Sequence, residues 1–425
     1  LFDISRWAYE RMKRALFCWE VGEGSGHVVP YLSLIEALHG RGWEVAVAVR
    51  NTAEVGSRVQ ATGAMLLQAP VCLSIFPEMD VHSFNSTELL LQHGYGYEPM
   101  FDGMFSAWLS LMRLWKPDLV IGSHAPTAHL ASQCLSIPDV AIGSGFNCPV
   151  PAGPAPLLRP WQPGIEQRIA ANEDRVRQIV NSVLSRHGFA RRQFAMDMYS
   201  DVPALLCTLP ELDHFGVHRG ADALYLGALP SASPATADVG PTLCKGADIF
   251  VYVRHSGSIE AMLAALAKRS EFSLVYMPDL TPVQTSKLES KYGSTITFAK
   301  NAVDIRQTLG NAKLVITNAG HSLTMQTLLA GKPMLLLPTH WEQSVVANLA
   351  VKTGAAIEVL PTAQHPKFNR RIDELLQAAS YREAAEAFAK RHQPLSGAAG
   401  IEKALHACEQ RAEPQLNRTR LTIVG

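Results

Sequence analysis

No apolar run in this 425-residue chain approaches the roughly 18 residues that a membrane-spanning helix needs. Cysteine is sparse and shows no pairing pattern. Cys18, Cys72, Cys134, Cys148, Cys207, Cys244 and Cys408 are scattered, odd in number and never spaced as CxxC. That argues against a disulfide framework or a structural zinc site, and for a reducing cytoplasm as the compartment. An excess of charge of one sign is missing too. Lys+Arg and Asp+Glu each count 38, so net charge gives no support to broad binding of DNA or RNA. Charged residues make up only 18% against 47% hydrophobic, enough apolar matter for a sizeable core and too little charge for a disordered tail. A chain this long predicts two or three domains.

The first 17 residues carry Arg6, Arg11, Lys13 and Arg14 among Trp7, Tyr9, Met12 and Leu16. This basic amphipathic pattern suits a leader helix packed on the body or peripheral contact with a membrane surface. It has no small-residue cleavage site of a signal peptide.

From Ala15 onward the chain alternates regularly. Ala15 to Trp19 is an apolar run, Glu20 to Gly26 is glycine-rich, Val29 to Leu38 has a helical stripe, and Val45 to Val49 is a second strand. This β-α-β opening predicts parallel strands joined by a right-handed crossover. Strands are expected again at Leu119 to Ile121, Val140 to Ile142, Ala204 to Cys207 and Leu224 to Leu226, with helices at Thr127 to Leu135 and Ile165 to His187. The polar, proline-bearing stretch from Ser231 to Pro241 reads as a linker. A second alternation runs from the strand at Ile249 to Val253 to the helix at Ser344 to Thr353, and a tail helical in pieces completes the chain. The fold class expected is α/β, with two doubly wound domains. The expected boundaries are an N-terminal domain over 1–230, a linker over 231–245, a C-terminal domain over 246–395 and a helix with tail over 396–425.

Two segments carry chemistry. Gly22-Glu-Gly-Ser-Gly26-His27-Val-Val-Pro30 sits between the first strand and helix, where glycines let backbone N–H groups approach a ligand. A dinucleotide fingerprint needs an acidic residue ending the second strand, and Arg50-Asn51 stands there instead. His27 suits a general base that takes a proton from an acceptor hydroxyl, and equally a loop hydrogen-bonder. The second segment runs from Val315 through Asn318-Ala-Gly-His-Ser322 to Gly331-Lys-Pro333, then a strand and the polar loop Thr339-His-Trp-Glu-Gln343. It offers a helix N-terminus to a diphosphate and polar side chains to a sugar. The other histidines, among them His124, His129, His214 and His218, read as scattered loop residues rather than metal ligands. The Met, Phe and Trp residues from Met100 to Trp115 fit a helix's core face, with an apolar acceptor pocket as the alternative.

Together these segments resemble the UDP-glycosyltransferase superfamily of GT-B fold. Gly26-His27-Val-Val-Pro30 resembles its GHxxP segment, Arg41-Gly-Trp-Glu-Val45 its RGHEV, and Pro117-Asp-Leu-Val-Ile121 with Ile137-Pro138 its PDLV…GIP stretch. The segment from Val315 to Gln343 resembles the donor signature. The likeness runs from about residue 15 to 355, and Trp19 to His27 resembles the WELGGGLGH opening of a bacterial branch labelled nucleotide-sugar-binding or glycosyltransferase-like.

The resemblance implies two Rossmann-like domains facing a cleft, with no cofactor or metal beyond the co-substrate. It implies an inverting transfer from a nucleotide diphosphate sugar to a small-molecule or lipid acceptor, with His27 as base. Ser258, Asn318, Gly320, His321 and Ser322 would face the diphosphate, and Glu342 and Gln343 the sugar. Departures stand out. Asn318 replaces the family histidine, Ala319 its first glycine, and Ser123 falls near the family's acidic partner of the base. Glu20, Glu23 or His124 are the substitutes within reach of the pattern. A silent nucleotide-sugar-binding protein and a nucleotide-sugar epimerase are the alternative readings.

Overall fold

The computed structural model describes residues 11–72, 83–161, 164–230, 246–254, 259–293, 295–301, 303–360, 367–393 and 397–413. Residues 1–10 of the expected leader, the linker 231–245 and Ser258 lie outside the described residues. The chain forms two compact units, one of residues 11–207, 217–230 and 397–413 and another of 208–216 and 246–393.

The first unit holds a sheet of seven parallel strands. They are β1 (Arg14–Trp19), β2 (Glu44–Val49), β3 (Met65–Gln68), β4 (Leu119–Ser123), β5 (Asp139–Gly143), β6 (Ala204–Leu206) and β7 (Leu224–Tyr225). Their order is β3-β2-β1-β4-β5-β6-β7. β1 is central, and its residues alternate between two cores as a strand's period of two demands. Leu16 and Cys18 face a cluster with Phe101, Phe105 and Trp108, from the helix Glu98–Trp115. Ala15, Phe17 and Trp19 face Leu34, Ile35 and Leu38, from the helix Leu32–Gly40. Burial on both sides is why the strand reads as an unbroken apolar run. The aromatic and methionine residues before Trp115 are thus core, with Phe101, Phe105 and Trp108 fully enclosed.

The expected first strand is present as β1, which also takes in Arg14 from the basic stretch. Ladders to β2 and β4 on both edges outweigh the local pattern. Arg14 donates to Glu44 at 2.7 Å and lies 5.0 Å over the Trp115 ring, so its charge is used within the unit. The helix Ala398–Arg411 also belongs to this unit: Arg41 pairs with Glu402 at 2.8 Å and Glu409 at 3.4 Å.

The second unit repeats the plan with six parallel strands. They are β8 (Ile249–Tyr252), β9 (Ser273–Tyr276), β10 (Ile296–Ala299), β11 (Leu314–Thr317), β12 (Met334–Leu336) and β13 (Ala356–Glu358), in the order β10-β9-β8-β11-β12-β13. In both units the chain starts in mid-sheet, winds to one edge, then returns to the other side of its first strand. The switch points fall between β1 and β4 and between β8 and β11. Loops leaving the carboxyl ends of such strands diverge and open a crevice for ligands.

Two details differ from expectation. The first helix starts at Leu32, preceded by short 3-10 turns at Ser25–His27 and Val29–Tyr31. The helix expected from Ser344 starts at Trp341, so Glu342 and Gln343 stand in its first turn rather than in a loop. Gln343 makes the early start workable. Its carbonyl oxygen accepts from the Thr339 backbone N–H at 2.8 Å and from its hydroxyl at 2.9 Å. Among the described residues no helix is long and apolar enough to cross a membrane.

Candidate active site

In the first unit the residues that matter gather at the carboxyl ends of β1, β2, β4 and β5. The His27 ring is half-buried and stacks on Trp19, with centroids 5.5 Å apart and planes 11° apart. On its other side the His124 ring lies at 5.9 Å. His124 sits just after β4 with φ 51°, and its carbonyl accepts from the Val21 N–H at 2.9 Å, clipping the two loops together. The side-chain amide of Asn147, from the turn Gly145–Asn147 after β5, lies 3.4 Å from His27 Nδ1. His27 Nε2 faces Gly22. A Cβ on Gly22 would stand 2.4 Å from that nitrogen, so only glycine lets the ring pack this closely against the loop backbone. At φ 93° the same residue also takes a backbone conformation other residues resist.

Electrostatics keep this ring neutral. Burial pulls the His27 imidazole down to about 4, and the Arg50 guanidinium adds to the shift. Burial also holds His124 well below the ordinary histidine range, with the charges of His27 and His93 adding. At neutral pH His27 is therefore an unprotonated base, though a weak one.

The acidic substitutes do not reach it. Glu20, buried at the end of β1, spends its carboxylate on the start of the helix Pro126–Cys134. It accepts from the Thr127 N–H at 2.9 Å, the Ala128 N–H at 3.4 Å and the Thr127 hydroxyl. Tyr95 completes the chain through Thr127 at 2.6 Å. Burial raises the Glu20 carboxyl to about 7, against the lowering from those bonds and from Arg50. Glu23 is exposed, and Ser123 is enclosed at the end of β4. No carboxylate is hydrogen-bonded to His27 among the described residues.

In the second unit Asn318 follows β11 and is buried. Its Oδ1 accepts from the Arg254 N–H at 2.6 Å and its Nδ2 donates to the Leu337 carbonyl at 2.7 Å. One side chain thus ties together the loops leaving β8, β11 and β12. Sequence reasoning placed Asn318 against a phosphate; the structure places its carbonyl and one amide hydrogen on backbone. Ala319 takes φ 62°, so the left-handed turn of the family's first glycine is kept without the glycine.

Gly320 then caps the helix His321–Leu329, whose first turn has no side-chain cap, and Ser322 is exposed on it. The leading N–H groups of such a helix lack intrahelical acceptors and, with the helix dipole, favour an anion. His321 does not point free: its Nε2 is 2.7 Å from the Thr208 hydroxyl. Burial lowers it to about 4, opposed by Asp213, so it brings hydrogen bonding but no charge.

Glu342 is half-buried on the neighbouring helix Trp341–Lys352. Its carboxyl makes no hydrogen bond or ion pair among the described residues, and burial raises it to about 7. Gln343 is held by Thr339. Gly320, His321, Ser322, Glu342 and Gln343 therefore occupy two helix starts at the ends of β11 and β12, joined by Asn318. Among the described residues no group of three or more His, Cys, Asp or Glu side chains is placed to hold a metal ion.

Sequence reasoning missed Trp19, Asn147 and Thr127. Trp19 and Thr127 had been read only as parts of a strand and a helix. Asn147 lay in a proline- and glycine-rich passage with no periodic signal, and only its return to His27 marks it.

Known proteins share this fold. The chain matches no protein-family model. A zeaxanthin glucosyltransferase from Pseudescherichia vulneris is 23% identical over 318 residues, 71% of this chain and 75% of that protein. Among solved structures, glycosyltransferase VinC in complex with dTDP superposes with a TM-score of 0.69 at 15% identity, covering 94% of this chain and 99% of that one. The calicheamicin glycosyltransferase CalG4 gives 0.69 at 16%, covering 95% and 100%. Spinosyn rhamnosyltransferase SpnG complexed with spinosyn aglycone gives 0.57 at 15%, covering 93% and 100%.

At these identities the solved structures establish the fold, which is GT-B. Taken with the glucosyltransferase relative and the motifs at His27 and Asn318–Gln343, it makes the chain similar to the UDP-glycosyltransferase superfamily. By class it is a glycosyltransferase.

Proposed function

We propose that this chain moves a sugar from a UDP- or dTDP-sugar to a hydroxyl of a small-molecule or lipid acceptor, without a metal and with inversion. The acceptor hydroxyl gives its proton to His27 while its oxygen attacks the anomeric carbon. The bond from that carbon to the diphosphate breaks, and the leaving charge falls on the nucleotide diphosphate. The helix start at Gly320 to Ser322 stabilises that charge through fixed N–H dipoles. Ser258 belongs to the same proposal, as a hydroxyl toward the phosphates. Glu342 and Gln343 hold sugar hydroxyls, and an unpartnered carboxyl suits that task.

The observation that carries the reading is His27: a neutral imidazole whose Nε2 makes no hydrogen bond among the described residues. VinC is seen with dTDP and SpnG with spinosyn aglycone, which supports a nucleotide donor and a small-molecule acceptor here. The test pairs a panel of nucleotide sugars with an acceptor screen. Donor binding should raise the melting temperature of the wild type and of His27→Ala alike. His27→Ala should lower kcat/KM about 10²- to 10⁴-fold, the usual worth of a general base. Activity should persist in EDTA, and the product should carry the inverted anomer. A retained anomer, or His27→Ala at wild-type rate, would overturn the mechanism.

A second reading has its own observation. Among the described residues no carboxylate backs His27, and Asn318 is occupied by backbone, which suits a protein that binds nucleotide sugar without turning it over. Donor-dependent stabilisation with no transfer across the acceptor screen would favour it.

A further inference from the structure

The family resemblance puts the acidic partner of the base near Ser123, where no carboxylate stands. Something else must hold the His27 ring, and four groups surround it. Trp19 offers a face, and its indole N–H is spent on the Val21 carbonyl at 3.0 Å. His124 also presents a ring face, at 5.9 Å, and its own Nδ1 has no partner among the described residues. Gly22 offers only the space of its missing side chain. The remaining group is the Asn147 amide, placed with its Nδ2 3.4 Å from Nδ1.

Asn147 is a built feature rather than a passing neighbour. It is buried, 7% exposed, and its backbone N–H is anchored to the Ser144 carbonyl at 3.0 Å. Gly143 makes room for it: a Cβ there would meet the Asn147 Cβ at 2.5 Å. The Tyr31 hydroxyl, at the foot of the first helix, interacts with the same amide.

A primary amide has nearly the same shape either way round, and the two orientations do opposite things to the ring. With its NH₂ toward Nδ1, the proton must sit on Nε2. With its oxygen toward Nδ1, the proton sits on Nδ1 and the Nε2 lone pair faces the Gly22 notch. Only the second leaves Nε2 unprotonated and able to act as the base.

We propose that Asn147 is the positioning residue of the His27 base, its amide oxygen accepting the Nδ1 proton in place of the family's carboxylate. This rests on the reading of His27 as base. An amide fixes tautomer and ring orientation as a carboxylate does, but adds no charge to stabilise an imidazolium. The other groups around the ring do not supply that charge. Arg50 is cationic, His124 is neutral, Glu20 is turned to Thr127, Glu23 is solvated, and Tyr31 is a neutral phenol in a buried site.

The experiment is ¹⁵N NMR of the histidines in the full chain, with the His27 signals assigned by loss in His27→Gln. Wild type, Asn147→Asp, Asn147→Ala and Asn147→Leu are titrated and their pH profiles of kcat/KM measured. The wild type should show the Nδ1–H tautomer of His27 and titrate well below ordinary histidine. Asn147→Asp should keep that tautomer and raise the His27 pKa by about 1–3 units, as an adjacent opposite charge does. The acid limb of kcat/KM should move with it. Asn147→Ala and Asn147→Leu should lose the tautomer preference and lower kcat roughly 10- to 100-fold, as second-layer partners of a working imidazole do, with little change in acceptor KM. An Nε2–H tautomer in the wild type, or an unmoved His27 titration in Asn147→Asp, would overturn the proposal. Because tautomer and pKa are read without turnover, failure of His27 as a base leaves this result separately visible.

Discussion

The two strand-to-helix turns at the switch points carry a histidine each, and they use it differently. After β1, His27 sits among rings with one nitrogen beside a glycine notch. After β11, His321 sits at a helix start with its Nε2 engaged by Thr208. Burial brings both to about 4, so both are neutral at pH 7. A neutral histidine with an unpartnered nitrogen can take a proton; one bonded to a hydroxyl has that nitrogen already engaged. The first turn is arranged around a side chain, the second around backbone N–H groups.

That contrast predicts where each turn breaks. The largest effect is expected at Gly22. Gly22→Ala brings a methyl against His27 Nε2 and strains a φ of 93°. A displacement of the ring by about 1 Å is enough to cost about a hundredfold in kcat/KM. Donor-induced stabilisation should be unchanged, because the second unit's turn is untouched. Loss of donor binding in this variant would dissolve the distinction between the turns.

Next comes Asn318→Ala, which frees the Arg254 N–H and the Leu337 carbonyl in a buried site. It should cost about 2–3 kcal/mol of stability in chemical denaturation, mostly from the groups left unpaired. The affinity for donor should fall only as the loops loosen. A variant as stable as wild type with donor binding abolished would instead make Asn318 a direct phosphate contact.

Glu342 gives a pH-dependent prediction. Its folded carboxyl titrates near 7 rather than its ordinary 4.5, so between those values the folded form holds a proton that the unfolded form has lost. The penalty for burying its charge is therefore absent at pH 4 and grows as pH rises from 4.5 to about 7. Glu342→Gln should add about 1–3 kcal/mol at pH 8 and nothing at pH 4. It should also weaken donor binding if the carboxyl takes sugar hydroxyls. His27 runs the other way. Its folded value is lowered from 6.5 to about 4, so its contribution improves as pH rises across that window and is flat above it.

The smallest effect is expected at Ala319, whose φ of 62° is strained for a residue with a Cβ. Ala319→Gly should stabilise the chain by about 1 kcal/mol, with donor affinity kept or improved. A destabilised glycine variant would show that the alanine methyl packs better than the strain it causes.

Much of the architecture was legible beforehand, and the reasons are local. Doubly buried strands such as β1, β4 and β11 are apolar throughout, so they stand out even without alternation. The glycine-bearing turns after β1 and after β11 marked the two candidate segments. The edge strands β3 and β13 were not legible, because three or four residues with mixed polarity carry too little pattern. The helix start at Trp341 was hidden for a similar reason: Thr339 to Gln343 looks polar, and only the Gln343 bond back to Thr339 shows the chain turning into the helix there.

The sequence by itself determined the two parallel sheets, their switch-point turns and the chemical types available there, because periodicity and glycine placement act over a few residues. Tertiary structure alone decided which side chains meet. It sent Glu20 to Thr127 rather than to His27, committed Asn318 to two strand ends, and brought Asn147 back across 120 residues to the histidine. Such pairings depend on which strands lie side by side, and a sheet's order brings together residues that no local pattern connects.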